Sequence, residues 1–308
     1  MNASDVNNNK YILEKLIDRA LLNSFVWVTN RCSGRPQEPD YVVALSTKFI
    51  KDFFNILVAV FPNYDFSATS VYCHQKPIVD INCSKKPELG DILFVYADRK
   101  QNGEILLNSL LLQAKVSNYS YLKLPSSEIH QLELYKNWPE FTYFRAGQLN
   151  GKRRNILPKS INSGAQYLLI DDDPITNGLF DGDGMFPMGC AVPDDILCIN
   201  ESFSKELIGL LKFKAGRTFD KNPYTTEDGW SKMIWDLLKI AASNRSRRKN
   251  AKMNAFPRSS HLHTESMGNM TLLDEMLSNS KYIEDLSDES GVSVVLVESR
   301  LKEEYMGQ

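Results

Sequence analysis

The stretch from Glu88 to Lys115 constrains this chain most. Two apolar runs, Asp91-Ile92-Leu93-Phe94-Val95-Tyr96 and Glu104 to Leu112, flank a polar segment, Ala97 to Gly103, that contains Asn102-Gly103. Asn-Gly supplies the positive φ that a tight turn needs, so the pattern predicts an antiparallel hairpin. Its second strand ends in Gln113-Ala114-Lys115. Residues two apart in a strand share a face, so Gln113 and Lys115 project together while Ala114 turns to the core. Antiparallel pairing brings the start of the first strand beside the end of the second, and Asp91 then stands next to both. One carboxylate, one amide oxygen and one ammonium together suit a hard metal ion and a phosphate.

The rest of the chain is read around this hairpin. With 308 residues there is ample length for a sizeable core. The net charge of −2 advertises no global basic field, so any nucleic-acid surface must be local. Five cysteines, Cys32, Cys73, Cys83, Cys190 and Cys198, include no C-x-x-C pair, which favours free thiols in a reducing cytoplasm over a zinc site or disulfide frame. The polar start, Met1 to Asn9, does not read as a secretory signal, and the apolar runs stop short of a membrane span. The expectation is a cytoplasmic protein without a membrane.

Apolar spacing predicts a helix over Lys10–Trp27, a loop over Asn30–Asp40 and a second helix over Lys48–Phe61, capped by Ser46 or Thr47 and ended by Pro62. A short strand region follows at Ser70–Cys83. Beyond the hairpin come a loop (Asn118–Ser127), a helix (Glu128–Asn137), an aromatic strand (Phe141–Arg145) and a basic turn at Lys152-Arg153-Arg154. Gln166–Ile170 reads as a buried strand and Asn177–Pro193 as a long surface loop. Phe203–Phe213 and Trp230–Ala242 are helices, the second capped by Asp228. Pro257–Asn269 is polar and expected to be mobile, Leu272–Leu277 is a short helix and Val292–Val297 a strand. The order argues for an α/β (α+β) fold with the sheet in the middle. Two parts are expected, 1–150 and a mixed C-terminal extension, 151–308, standing apart or packed as one unit.

The ordered set of Asp91, Gln113-Ala114-Lys115 and then Gln131-Leu132-Glu133-Leu134-Tyr135 resembles the PD-(D/E)xK nuclease superfamily, whose fold is restriction-endonuclease-like. Gln113 replaces the usual acid, a Q-x-K form similar to that of Mrr-like restriction enzymes. Gln131 and Tyr135 are similar to the Q-x-x-x-Y helix motif of RecB-like nucleases and lie one turn apart on a helix. The resemblance covers Thr47 to Tyr143.

It implies a central mixed sheet flanked by helices and a metal-dependent phosphodiesterase, more readily an endonuclease on DNA than on RNA, of the kind found in bacterial defence against phage. Mg²⁺ or Mn²⁺ would be held by Asp91, Gln113, the Ala114 carbonyl and Glu88, with Lys115 orienting or helping to deprotonate the attacking water. Gln131 and Tyr135 would position Lys115, the water or the nucleic-acid backbone. Lys152, Arg153 and Arg154, and the run Arg245, Arg247, Arg248 and Lys249, are candidate phosphate contacts. The alternative is an inactive nuclease-fold subunit, a scaffold that binds nucleic acid or a protein partner such as an NTPase or sensor; a homo-oligomer is left open. Asp181-Gly182-Asp183-Gly184 lacks the later acids of a calcium loop, and His261 and His263 lack further ligands nearby.

Overall fold

The computed structural model describes residues 1–73, 77–159, 164–173, 179–180, 185–248, 263–269, 271–278 and 291–303. The chain opens with α1 (Ala3–Asn8), α2 (Lys10–Thr29) and α3 (Glu38–Ala44), which runs through a π-helical turn (Leu45–Phe49) into α4 (Ile50–Val60). Then come β1 (Tyr64–Tyr72), β2 (Ile78–Asp80), β3 (Ile92–Arg99), β4 (Ile105–Val116), β5 (Tyr121–Leu122), α5 (Ile129–Asn137), β6 (Phe141–Arg145), β7 (Arg153–Arg154) and β8 (Ala165–Ile170). The remainder is β9 (Leu179–Phe180), β10 (Met185–Phe186), β11 (Met188–Ala191), β12 (Leu197–Ser202), α6 (Phe203–Leu211), β13 (Arg217–Phe219), α7 (Gly229–Arg248), β14 (His263–Gly268), α8 (Leu272–Ser278) and β15 (Ser293–Leu301).

One large mixed sheet organises these elements, in the order β14-β1-β15-β3-β4-β8-β11-β12-β5, with β13 also paired to β4. The pairs β15–β3 and β4–β8 are parallel and the other ladders antiparallel. The β3–β4 hairpin forms as its alternation and Asn-Gly turn require. Gly103 sits at φ +80°, and its N–H closes the turn onto Lys100 O at 3.1 Å. A parallel neighbour for β4 needs a crossover, and α5 lies on the connection to β8. Strands from either side of residue 150 are interleaved in the sheet, with β15 between β1 and β3 and β8 beside β4, which packs the two parts of the chain as one unit.

Each sheet face carries its own core. In β4, Leu110, Leu112 and Ala114 point into a cluster with α1 to α4 and α6, which includes Leu13, Ile17, Tyr41, Phe49 and Phe203. Leu107 and Leu111 point the other way, against Leu134 and Tyr135 of α5, Trp230 and Leu237 of α7 and Leu273 of α8. β15 is buried along its length from Ser293 to Ser299, as a central strand must be.

Several local expectations are corrected. The loop assigned to Asn30–Asp40 ends early, because Pro39 fits the first turn of α3 and the Asp40 carboxylate accepts from Gln37 N at 2.7 Å. Ser46 and Thr47 cap nothing. They lie inside the continuous helix, where the Thr47 hydroxyl donates back to Val43 O at 2.7 Å and Ser46 O accepts from the Ser70 hydroxyl. The surface loop assigned to Asn177–Pro193 contains β11, buried between β8 and β12. Within Pro257–Asn269, residues 263–268 form β14, an edge strand on β1. The basic turn contains β7, paired to β6. Asp181 to Gly184, Lys249 and His261 lie outside the described residues. Among the described residues no helix is long and apolar enough to cross a membrane, and the five cysteines are free thiols.

Candidate active site

β4 outruns β3. The ladder starts at Ile92 opposite Leu112, whereas β4 continues to Val116. The odd-numbered backbone groups of this end turn toward β8, as the Leu111 N–H to Gly164 O and Ser117 N–H to Ile170 O bonds fix. The even-numbered groups turn to the β3 side, where Leu112 O takes the Asp91 N–H at 3.0 Å. Past that point β3 has ended, and side chains complete the ladder. Asp91 Oδ2 accepts from Ala114 N at 2.8 Å, and Glu38 Oε1 from Val116 N at 3.4 Å. In a strand the N–H and C=O of one residue leave on the same side, so the Ala114 carbonyl opens toward Asp91 as well.

Gln113 and Lys115 project from this overhang onto the face covered by α5. The Gln113 Nε2 donates to Asp91 Oδ2, while its buried Oε1 has no donor. The Lys115 ammonium lies 2.8 Å from Glu128 Oε2 and 3.5 Å from Glu38 Oε2. Burial alone would lower the Lys115 pKa; the carboxylates of Glu38, Glu128 and Asp91 override it and hold the group above its ordinary value. Burial, reinforced by the nearby Glu88 charge, pushes Asp91 up to about 7 against the opposing pull of the Ala114 N–H and Lys115. Burial raises Glu88 too, with Glu38 adding to it and Lys115 opposing.

The loop before Asp91 is held from α5. Tyr135, fully buried, donates to Leu89 O at 2.9 Å. A Cβ on Gly90 would meet Leu111 Cδ1 at 2.7 Å and the Tyr135 oxygen at 2.8 Å, so any other residue must push these side chains aside. Tyr135 is therefore a positioning residue, and its contact is with the backbone carrying Asp91. Gln131, one turn earlier on the same helix face, is buried, and its Nε2 has no acceptor.

Asp91, Gln113, Ala114 and Lys115 are thus in contact or adjacent, and Glu88 precedes Asp91 by three residues in the loop that Tyr135 holds, its charge adding to the rise of the Asp91 pKa. Two members escaped the sequence reading, Glu38 from the start of α3 and Glu128 from the start of α5. The basic candidates divide. Lys152 and Arg153 are exposed, but Arg154 is committed to Asp236, with Nε at 2.8 Å and a terminal nitrogen at 2.7 Å. Arg245, Arg247 and Arg248 lie on the last turns of α7. A cleft of about 650 Å³ lies at the opposite end of the hairpin, lined by Asp98 to Asn102 and Phe213, away from this cluster.

The donor set fits a hard cation in kind: carboxylate, amide and carbonyl oxygens, with one buried amide oxygen still lacking a partner. Among the described residues, no three His, Cys, Asp or Glu side chains are grouped so as to hold a metal by themselves. The amide and the main-chain carbonyl would have to contribute. No family model, curated protein or solved structure matches the chain.

Proposed function

We propose that the chain is a metal-dependent nuclease of the restriction-endonuclease-like type, hydrolysing phosphodiester bonds of DNA, in a defence role against foreign nucleic acid. The observation that carries this reading is the overhang of β4, where Asp91, Gln113 and Lys115 meet. Nearby, two buried amide atoms, Gln113 Oε1 and Gln131 Nε2, have no partner. One is an acceptor suited to a cation and the other a donor suited to a phosphate oxygen. The path from β3 through the hairpin to β4 and then to α5 supports the same reading, because strand, strand and helix follow in the order that the resemblance implies.

Mg²⁺ or Mn²⁺, held by Asp91, Gln113, the Ala114 carbonyl and Glu88 or Glu38, would supply Lewis acidity to the phosphate and its attacking water. Lys115, raised in pKa, remains an ammonium at neutral pH. It donates to the phosphate or the water and offsets the charge that builds in the pentacovalent transition state. Accepting the water's proton falls to a carboxylate, and the raised Asp91 and Glu88 lie closer to neutrality than ordinary acids do. Water adds to phosphorus, the bond to the bridging oxygen breaks, and configuration inverts. Glu38 and Glu128 hold Lys115 in place.

The test is incubation of plasmid and linear DNA with Mg²⁺ or Mn²⁺, comparing wild type with Asp91→Ala and Lys115→Ala. Cleavage by wild type alone is expected; equal cleavage by all three sinks the assignment. The second reading, an inactive nuclease-fold scaffold, draws on the closure of Asp91 Oδ2 by two protein donors. It predicts DNA or partner binding without cleavage by any of the three.

A further inference from the structure

We propose that Tyr119, Tyr121 and Lys123 form a stacking platform that takes unpaired bases of single-stranded DNA beside the candidate active site. This rests on the nuclease reading and narrows its substrate to an unpaired strand.

Tyr119 and Tyr121 are 65 % and 58 % exposed, and unlike the exposed Tyr11 and Tyr224 they lie two residues apart. Their rings stack on each other, with centroids 5.7 Å apart and planes at 29°. A stacked pair of open rings is a surface on which a further aromatic face can be laid.

The platform is rigid. Ser117 Oγ accepts from Tyr119 N at 3.2 Å and donates to Tyr119 O at 2.9 Å. β5 pairs Tyr121 and Leu122 with Cys198 and Leu197 of β12, and the Ile199 N–H holds Ser120 O at 2.9 Å. The rings are therefore presented with little further ordering needed on binding. Lys123, also exposed, follows two residues after Tyr121, just past the end of β5, and supplies a cation beside the rings for the phosphate chain.

Continuity with the candidate site selects the occupant. Tyr119 lies four residues beyond Lys115, at most about 14 Å along the chain. β5 lies at the sheet edge beyond β8, β11 and β12, about 19 Å from β4 at ordinary strand spacing, so a strand running from a phosphate at Lys115 to both rings spans about three nucleotides. Aromatic faces exposed in line beside one cation suit bases freed from a duplex, since bases inside a helix offer no open face.

The test is fluorescence anisotropy in the absence of divalent metal, so that no strand is cut. An oligothymidylate of about twenty nucleotides, longer than one binding module's site, is compared with a duplex and an oligouridylate of equal length. Wild type is expected to prefer the DNA single strand. Tyr119→Ala with Tyr121→Ala should weaken that binding about tenfold or more, the loss of one base stack, while Tyr119→Phe with Tyr121→Phe keeps it. Lys123→Ala should flatten the salt dependence. A melting temperature for each variant checks its fold, and Tyr119→Ala alone replaces the pair if the pair is unstable.

Equal binding by the alanine variant overturns the platform, as does duplex bound as tightly as the strand, or oligouridylate bound more tightly than oligothymidylate. So does absence of strand binding by wild type. Cleavage with Mn²⁺ is read separately. Normal strand binding without cleavage removes the nuclease reading and leaves the platform, whereas cleavage that ignores the alanine pair removes the platform and leaves the nuclease.

Discussion

Replacing Asp91 by asparagine should make the metal-free protein more stable at high pH and remove a slope from its pH–stability curve. Asp91 has its pKa pushed from 3.8 to about 7, first by burial and then by the charge of Glu88. The folded chain therefore holds a proton that the unfolded chain has already lost, and the stabilisation this gives is full below about pH 3.8 and gone once pH has risen through about 7. Three pKa units correspond to about 4 kcal/mol, of which roughly 2 to 3 kcal/mol falls between pH 5 and pH 9. The asparagine can still accept from Ala114 N and Gln113 Nε2 through its amide oxygen, so the packing is kept while the titration is abolished. Urea unfolding of wild type and Asp91→Asn at pH 5 and pH 9, in chelator, measures the difference directly. Wild type should lose the extra 2 to 3 kcal/mol on the way up and the variant should not, about two decades in folding constant. Adding Mn²⁺ at pH 9 should restore wild type alone, because a cation favours the ionised carboxylate. Parallel curves for the two proteins would refute the reasoning: Asp91 would then be an ordinary solvated acid.

Under the nuclease reading, cleavage should rise with pH through about 7 as Asp91 ionises, and the midpoint should move to lower pH as Mg²⁺ concentration increases; a pH–rate profile at two metal concentrations checks both. Lys115→Ala should cut cleavage by about a hundredfold or more, the scale of losing one transition-state donor, read in single-turnover assays, and should lower the melting temperature because Glu38, Glu128 and Asp91 lose their shared cation. Gly90→Ala should destabilise by about 1 to 3 kcal/mol, since its Cβ would press on Leu111 and Tyr135, and should weaken metal binding by calorimetry because Asp91 moves with the loop. Tyr135→Phe should cost about 1 to 3 kcal/mol by leaving the buried Leu89 carbonyl without its donor, measured by urea unfolding.

The hairpin was legible because its determinants are local: period-two alternation, an Asn-Gly turn, and a register that brings Asp91 to Gln113. Glu38 was not, because it reaches the end of β4 from a helix that two nearby prolines made look like a loop. Nothing in local sequence marks Val116 N as its partner. β14 was hidden by its polar composition, since an edge strand needs a partner more than an apolar face. β11 was hidden for the opposite reason: Met-Gly-Cys-Ala is too short and too small-sided to show alternation, and only the sheet around it makes it a strand. Tyr135 lies on the expected helix, but its target, a carbonyl in the loop before Asp91, depends on the packing of α5 against β4.

The place of β15 has a consequence for synthesis. It lies between β1 and β3, built from residues 293–301 while its neighbours end by residues 72 and 99. A nascent chain shorter than that has a gap in its sheet, and the hairpin carrying Asp91 keeps an open edge. The Asp91 end of the hairpin touches the late strand directly, for the Ser293 N–H bonds Asp91 O at 3.1 Å. If the chain cuts nucleic acid, it is therefore incomplete as a nuclease for as long as residues 293–301 remain untranslated or inside the ribosome. Its completion depends on late, long-range closure, the kind of pairing that folds slowly.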